Sequence, residues 1–227
     1  MSISAKFNKY AERYDQSRQK LIPCYSDFYQ TIIKIIPFSH STPLSVADLG
    51  AGTGLLSKQI LKAFPQSNMT LVDISEEMLN VAKSRLNAYS NVEYQLSDYS
   101  NELPSGHYDL IVSSLSIHHL TDKNKIQLFR AVKKSLNPNG IFINADQVLG
   151  ETEEIENLYH STWLSEIKKN GITETELNEA LDRMKEDKMA TLSSQIEWLK
   201  ESGFTSVNCW YQNLRFAVYS GQNYIIG

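Results

Sequence analysis

The feature that most constrains the fold is an alternation of strand-like and helix-like segments between residues 44 and 147. Short apolar runs, such as residues 44–49 and 108–115, are followed by segments whose apolar side chains recur at helical spacing, such as residues 55–64. Parallel neighbouring strands need a crossover connection, which is usually a helix. The alternation therefore predicts a mainly parallel sheet with helices on both faces.

The remaining segments extend this pattern at both ends. Residues 4–20 have aromatic side chains at helical spacing, which predicts an amphipathic helix ending before Pro23, and a second helix follows over residues 26–36. Residues 151–202 are almost wholly helical in character, and the run 206–220 is typical of a closing hairpin. The predicted core strands are 44–49, 69–74, 92–96, 108–115 and 141–147, with helices at 55–64, 75–86 and 125–136 between them and a turn at 137–140.

Three local signals predict where helices begin and end. Ser75 precedes an apolar helical pattern and is typical of an N-cap. The run that starts at Thr173 and reaches Glu176 has the form of a capping box. Gly171 and Gly203 are placed where helices are expected to end.

Composition limits the classes of protein to consider. The formal net charge is −4 and 41% of residues are hydrophobic, which is ordinary for a globular protein and requires no large basic surface. Cys24 and Cys209 are far apart and are expected to be reduced thiols. The strongest apolar run, residues 32–36, contains Lys34, and the first residues lack the apolar stretch of a signal peptide. We therefore expect a cytoplasmic protein that does not associate with a membrane.

A glycine-rich loop follows the first predicted strand and reads Asp48-Leu49-Gly50-Ala51-Gly52-Thr53-Gly54. In an open parallel sheet, ligands bind beyond the carboxyl ends of the strands. Asp73 ends the second strand, 21 residues after Gly52, where a carboxylate can hold ribose hydroxyls. The loop lacks the glycine spacing that fits a pyrophosphate, and Asp98 follows the third strand, where it can accept a hydrogen bond from an adenine amino group. These residues predict an adenosine ligand without phosphates.

This loop resembles the opening motif of the class I S-adenosylmethionine-dependent methyltransferases. The resemblance covers residues 44–145 and includes the runs 71–75, 108–112 and 136–141. It implies that the glycines pack against the amino-acid part of S-adenosylmethionine, that Asp73 holds its ribose and that Ile74 flanks its adenine. The implied cofactor-binding residues are Gly50, Ala51, Gly52, Asp73, Ile74, Met78, Asp98 and Tyr99.

The flanking segments are similar to those of the carboxy-S-adenosylmethionine synthases, which serve wobble-uridine modification of tRNA. The likeness lies in residues 21–26, 158–160, 201–204 and 209–216, and it adds Tyr25 and Ser114 as cofactor contacts. The chain departs from that group in residues 51–54. Arg183 lies one position out of register with that group's carboxylate-binding arginine. These departures favour the ordinary methyl donor over the carboxylated one.

The resemblance and the pattern together predict an α/β fold. It is a Rossmann-like, doubly wound, mostly parallel seven-stranded sheet with an antiparallel final hairpin. We expect one domain over residues 1–227, divided into an N-terminal helical lid (1–43), a cofactor-binding core (44–150), a helical cap (151–202) and a closing hairpin (203–227).

Methyl transfer needs few catalytic side chains, because the sulfonium is already activated and the enzyme mainly aligns the acceptor. His118 and His119 follow the fourth strand and are the candidates for a base or an acceptor contact, although no catalytic residue is assigned. Two adjacent histidines do not by themselves make a metal site, so no metal is predicted. The candidate acceptor-binding residues are Tyr14, Arg18, His119, Tyr211 and Arg215.

The sequence thus predicts a methyltransferase that uses S-adenosylmethionine on a small or medium-sized acceptor. One alternative is a carboxy-S-adenosylmethionine synthase-like or tRNA wobble-uridine modification enzyme, and another is a non-catalytic scaffold that binds S-adenosylmethionine. The predicted partner is a small molecule, with tRNA and a second copy of the chain as alternatives. The acceptor atom, the use of a base and the carboxylation of the cofactor are left open.

Overall fold

The computed structural model describes residue 15 and residues 17–223. Most of the predicted first helix, with the acceptor candidate Tyr14, therefore lies outside the described residues. Residues 17–21 are helical, and the chain turns at Pro23 as expected. The next helix, α1, comprises Tyr25–Lys34 and buries Phe28, Tyr29 and Ile32.

The elements after α1 follow the predicted alternation. Each predicted core strand and helix is present, with ends displaced by at most three residues except at the start of the last core strand. The core elements are β1 (Ser45–Leu49), α2 (Leu55–Ala63), β2 (Asn68–Asp73), α3 (Glu76–Arg85), β3 (Val92–Leu96), β4 (Tyr108–Ser114), α4 (Asp122–Ser135) and β5 (Leu136–Gln147). The later elements are α5 (Glu153–Lys169), α6 (Glu174–Met184), α7 (Leu192–Glu201), β6 (Ser206–Asn213) and β7 (Phe216–Gln222).

The strands form one seven-stranded sheet in the order β3-β2-β1-β4-β5-β7-β6. The pairs among β1 to β5 are parallel, while β7 pairs antiparallel with both β5 and β6. The chain leaves β1 toward one edge of the sheet and returns through β4 on the other side. The predicted mostly parallel, doubly wound sheet with an antiparallel end is confirmed.

The start of β5 differs from the sequence prediction. Residues 137–140 are expected to form a turn before the strand, but they belong to β5, where Leu136 pairs with Tyr108 and the register shifts before Leu110. Asn139 still has the positive φ of a turn, 63°, and its N–H donates to the carbonyl of Asn223 at 2.8 Å. The turn conformation is retained because a neighbouring segment supplies the hydrogen bond.

Helices cover both faces of the sheet. On one face α1 packs with the cap residues Trp163 and Ile167 in the same apolar cluster as the strands. On the other face α4 contributes Phe129 and α7 contributes Leu199. Burial of apolar surface on two faces explains why the central strands are almost continuously apolar.

The predicted helix boundaries are formed by the expected groups. The Ser75 hydroxyl accepts a hydrogen bond from the Met78 N–H at 3.1 Å at the start of α3. Thr173 and Glu176 make a complete capping box at α6. Gly171 and Gly203 have φ of 75° and 90° directly after the ends of α5 and α7, a conformation that glycine adopts at little steric cost. Among the described residues, no helix is both long and apolar enough to cross a membrane.

Candidate active site

A cavity of about 250 Å³ lies beyond the carboxyl ends of β1 and β4, where the order of the strands reverses. Ligands bind in this position in open α/β sheets. The structure brings together at this cavity most of the residues predicted to bind the cofactor. They are Gly50, Gly52, Asp73, Ile74, Met78, Asp98, Tyr99 and Ser114.

The glycine loop forms the floor of the cavity. Gly50 and Gly52 have φ of 70° and 54°, which L side chains rarely adopt. A Cβ on Gly50 would lie 1.9 Å from the Ser116 Oγ, whereas a Cβ on Gly52 would meet no atom within 4 Å. Gly50 is therefore required for packing within the protein. Gly52 leaves open space at the cavity wall, as a loop that a ligand approaches would.

Asp73 ends β2 and is held by two backbone groups. Its Oδ2 accepts from the Gly52 N–H at 2.7 Å, and its Oδ1 accepts from the Ser75 N–H at 2.9 Å. Each oxygen keeps further lone pairs for hydroxyl donors. Burial raises the pKa of Asp73, and the backbone hydrogen bonds partly offset this effect. The carboxylate is thus rigidly placed in the position expected for a ribose ligand.

Asp98 and Tyr99 form the wall beside β3. The Asp98 Oδ1 accepts from the Ser100 N–H at 2.9 Å, which fixes the carboxylate after the strand. The Tyr99 hydroxyl lies 2.7 Å from the Ser116 Oγ, and burial raises the pKa of this phenol. Ile74, 40% exposed, supplies an apolar surface in the same cavity. An apolar surface between an acid and a tyrosine fits a flat, polar-edged base such as adenine.

Two predicted cofactor residues are placed differently. Ala51 is buried behind the loop, where its N–H donates to the Val72 carbonyl at 3.0 Å. Tyr25 lies in a separate surface groove with Asp15 and Arg85, and its ring stacks against Tyr29 at 4.7 Å between centroids. Neither residue lines the cavity. Ala51 instead supports the glycine loop from behind. The cofactor contact of Tyr25 stays a prediction.

Asp48, the first residue of the glycine motif, lies behind the loop and is only 1% exposed. The Ser57 hydroxyl donates to its Oδ2 at 2.6 Å. Burial raises the pKa of Asp48 to about 7, and the Ser57 hydrogen bond opposes that shift. The residue is therefore a buried structural acid that ties β1 to α2.

A second, smaller cavity of about 90 Å³ adjoins the first. The two cavities share Arg18, Leu115 and His119 in their linings. The smaller cavity is closed by the N-terminal segment and by the segment from α5 to the residues after α6. Its other lining residues are Ser17, Leu21, Ile22, His118, Gln147, Trp163, Ala180, Arg183, Met184, Asp187 and Phe216.

His118, His119 and Asp187 converge where the cavities meet. The Asp187 Oδ1 lies 3.5 Å from the His118 Nε2 and 3.1 Å from the His119 Nδ1. The Nδ1 of the His118 ring is 2.5 Å from the Asp146 Oδ1, and the backbone N–H of His118 donates to the Asp146 Oδ2 at 3.0 Å. Asp146 at the end of β5 therefore fixes the orientation of the His118 ring.

The electrostatics of this group follow from burial and neighbouring charges. Burial opposes a charge on His118, but the Asp146 carboxylate prevails and raises the pKa of His118 to about 10. Burial and the charge on His118 lower the pKa of His119. Burial opposes the charge on Asp187, yet the two histidines hold the pKa of its carboxyl well below the usual range. A neutral His119 next to a cationic His118 is the expected state near pH 7.

Three predicted acceptor residues are described outside the histidine pair. Arg18 is 7% exposed, lines both cavities, and its Nη2 donates to the Ser114 carbonyl at 3.3 Å. Arg215 is buried, donates to the Glu156 Oε1 at 2.8 Å and lies 5.2 Å from the centre of the Trp163 ring. Tyr211 packs at the edge of the apolar core. Of the three, only Arg18 reaches the cavities.

Several residues at the site carry no recognisable sequence signal. Leu115 has φ of 53°, a strained conformation for a leucine, and lines both cavities. Lys188 donates its N–H to the His118 carbonyl at 2.7 Å, which attaches the segment after α6 to the core. Asp187 and Lys188 lie in a polar stretch of the cap, so only the tertiary fold shows that they reach the histidines.

Comparison with known proteins supports this arrangement. A family profile described as a methyltransferase domain matches residues 47–142. Malonyl-[acyl-carrier protein] O-methyltransferase 2 of Ilyobacter polytropus is 28% identical over 162 residues, which cover 70% of this chain and 59% of that protein. The chain spans only 38% to 59% of the length of the three such methyltransferases it matches.

A carboxy-S-adenosyl-L-methionine synthase from Shewanella amazonensis matches over nearly its whole length. It is 25% identical over 205 residues, which cover 88% of this chain and 84% of that protein. The DhpI–SAH complex superposes with a TM-score of 0.67 at 13% identity, covering 97% of this chain and 94% of that one. Human N-acetylserotonin methyltransferase, solved with SAM, has a TM-score of 0.61 at 17% identity and covers 87% of this chain and 52% of that one.

The solved structures are too distant in sequence to show more than a shared fold. The domain match includes Gly50, Gly52, Asp73 and Asp98, all of which line the larger cavity. Strand order, cavity position and matched motif therefore agree: residues 47–142 match a methyltransferase domain, and the chain has the fold of S-adenosylmethionine-dependent methyltransferases.

Proposed function

We propose that this protein binds S-adenosylmethionine in the larger cavity and methylates a small or medium-sized acceptor held in the smaller one. The observation that carries the proposal is the contact between the two cavities, which share Arg18, Leu115 and His119. Methyl transfer requires the acceptor atom to lie in line with the methyl group, so the two ligands must meet. The shared lining residues place the two cavities next to each other, as that requirement demands.

The residues of the larger cavity fit the cofactor part by part. Gly52 leaves room for its amino-acid part, Asp73 offers acceptors to the ribose, and Ile74 with Asp98 and Tyr99 surrounds the base. S-adenosylmethionine supplies an activated methyl group on a sulfonium. The protein needs only to orient the donor and acceptor and to exclude water.

The acceptor side is formed by the predicted lid and cap together. The Trp163 Nε1–H donates to the Leu21 carbonyl at 2.9 Å, and Lys20 pairs with Glu176 at 2.9 Å. These contacts join the N-terminal segment to α5 and α6 above the smaller cavity. His119, which faces both cavities, is the residue we propose to contact the acceptor.

The direct test of cofactor binding is Asp73→Ala, examined by titration calorimetry with S-adenosylmethionine and S-adenosylhomocysteine. We expect wild-type protein to bind one molecule per chain and the variant to lose binding, because the ribose acceptors and the anchor of Gly52 are removed together. Asp109→Ala is the matched control. Asp109 also accepts a backbone N–H, from Ser45 at 2.9 Å, but at the opposite end of the sheet. Absence of binding to wild-type protein, or equal binding by Asp73→Ala, would refute the proposal.

A second reading is a carboxy-S-adenosylmethionine synthase-like enzyme. It is favoured by the extent of the match to such synthases, which covers 88% to 92% of this chain. Arg183, near the position expected for a carboxylate-binding arginine, lines the smaller cavity. Mass spectrometry of the ligand retained on purification separates the readings, since a ligand heavier by one carboxylate supports the second.

The remaining sequence-based alternatives stay predictions. A cytoplasmic location, tRNA binding, a homodimer and the division into lid, core, cap and hairpin are of this kind. A non-catalytic scaffold would bind the cofactor without turnover. Formation of S-adenosylhomocysteine in the presence of cell extract would exclude the scaffold.

A further inference from the structure

His118, His119 and Asp187 form a cluster where the two cavities adjoin. Hydrogen bonds within the protein do not account for all of its buried polar atoms. Asp187 is 5% exposed, and its Oδ2 is buried without a hydrogen-bond partner among the described residues. Buried carboxylate oxygens are rarely left unsatisfied, and each exception calls for a reason such as an ion. The unpaired Asp187 oxygen lies where the two cavities adjoin, and this is a reason to consider a bound ion there.

The distances among the donors fit one small cation. The His118 Nε2, the His119 Nδ1 and a carboxylate oxygen of Asp187 all lie within 4.8 Å of one another, and the two distances to the Asp187 Oδ1 are 3.5 and 3.1 Å. Ligand atoms about 2.0–2.2 Å from a tetrahedral zinc ion lie roughly 3.3–3.5 Å apart. The two distances to Asp187 therefore already fit a shared cation, and its binding would displace the proton from the His118 Nε2 into solvent.

Asp146 occupies the position of a supporting residue. Its carboxylate holds the Nδ1 of His118 at 2.5 Å, so that the Nε2 faces Asp187. Histidines that bind metals almost always use their other nitrogen in this way, which fixes the ring and makes it a stronger ligand. The two carboxylates also supply negative charge, while Arg18 and Arg183 line the smaller cavity and the Lys188 Nζ lies 3.4 Å from the His119 carbonyl oxygen.

We propose that His118, His119 and Asp187 form a binding site for a divalent transition metal such as Zn²⁺, with Asp146 as the supporting carboxylate. Two imidazoles and one carboxylate are a zinc-type donor set, and three protein ligands leave one position open for a further ligand. His118, His119 and Asp187 all line the smaller cavity, so that position would face the acceptor. The sequence predicts no metal because Asp187 lies 68 residues after His119, and only the fold unites them.

The site itself is independent of the reaction, but its role rests on the proposed function. If the smaller cavity holds the acceptor, the metal would coordinate an oxygen of that acceptor and orient it toward the larger cavity. The segment after α6 would then be fastened to the core through the metal, in addition to the hydrogen bond from Lys188 to His118.

The test is titration of chelator-treated full-length protein with ZnCl₂ by calorimetry, with MgCl₂ in parallel, followed by Co²⁺ substitution and visible absorption. We expect one Zn²⁺ per chain and no comparable Mg²⁺ binding, since Mg²⁺ prefers oxygen ligands. Asp187→Asn and His119→Asn should each weaken Zn²⁺ binding by at least about 10-fold and change the Co²⁺ spectrum. Asp182→Asn, in the cap but outside the cluster, is the matched control and should bind normally.

The outcomes separate this inference from the proposed function. No Zn²⁺ binding, or equal binding by wild type, Asp187→Asn and His119→Asn, overturns the metal site even if S-adenosylmethionine still binds. Asp146→Asn provides a check should a ligand variant fold poorly, and we expect it to reduce Zn²⁺ affinity while all three ligands remain. Absence of S-adenosylmethionine binding by the wild type would instead overturn the proposed function and leave the metal result standing.

Discussion

At the scale of single residues, the same residue type serves different ends in different surroundings. Gly52 and Gly171 both have positive φ, 54° and 75°, and a Cβ on either would meet no atom within 4 Å. Gly171 follows a cap helix, whereas Gly52 lines the larger cavity and donates its N–H to Asp73. A side chain at Gly52 or at Gly171 would therefore cause similar backbone strain, but only Gly52 lies at the cavity.

We expect Gly52→Ala to weaken S-adenosylmethionine binding by at least about 10-fold, while Gly171→Ala leaves the affinity unchanged. Each substitution should lower the free energy of unfolding by roughly 1 kcal/mol, because an L residue is disfavoured at positive φ. Calorimetry and urea denaturation of the two variants provide the measurements. Equal affinities would show that the open space at Gly52 is not used by the cofactor.

The buried acid Asp48 gives the protein a predictable dependence of stability on pH. Its folded-state pKa of about 7 is higher than the ordinary value of 3.8, so folding favours the protonated form. The stabilisation is complete at pH values below about 4 and is lost as the pH rises through 7. One pKa unit corresponds to about 1.4 kcal/mol, so the effect is on the order of a few kcal/mol.

Asp48→Asn should remove this contribution and be more stable than the wild type above pH 7. The amide oxygen can still accept the hydrogen bond from Ser57, so the local geometry is preserved. Urea denaturation between pH 5 and 9 measures the difference, which should widen in favour of the variant as pH rises. A constant difference across that range would contradict the assignment of Asp48 as the titrating group.

At the scale of elements, the helices of the cap have a different role from those of the core. α2, α3 and α4 cover the sheet, whereas α6 contributes Ala180, Arg183 and Met184 to the wall of the smaller cavity. The start of α6 is stabilised by its capping box, in which the Thr173 N–H donates to Glu176 at 2.8 Å and the Glu176 N–H to Thr173 at 3.2 Å. Those hydrogen bonds and the Lys20 pair hold the pKa of Glu176 at about 2.

Loss of this cap should affect α6 without affecting cofactor binding. We expect Thr173→Ala to destabilise the helix by about 1 kcal/mol and to speed amide hydrogen exchange in residues 174–184. The affinity for S-adenosylmethionine should not change, because no residue of α6 lines the larger cavity among the described residues. Thr173→Ser keeps the hydroxyl and is the control. Faster exchange throughout the core in Thr173→Ala would show that α6 does not open independently.

At the scale of the whole molecule, local pattern predicted the sheet and most of the cofactor cavity. Ligands collect at the carboxyl ends of parallel strands, so strand order predicts that residues that follow strands, such as Gly50, Asp73 and Asp98, meet at one site, and all three line the larger cavity. Arg215 shows the limit of this reasoning. It follows a strand at the same edge but is buried against Glu156 and Trp163, because the cap helix α5 packs over it.

The sequence by itself determined the parallel core, the antiparallel end and the glycine loop with Asp73 and Asp98, because each depends on periodicity or on short spacings along the chain. Only the tertiary structure decided which cap residues meet that core. Asp187 reaches the histidines, Ala51 lies behind the loop, and Leu115 adopts a strained conformation where the two cavities join. These contacts join residues far apart in the chain, and their positions follow from how the helices pack, which no local pattern encodes.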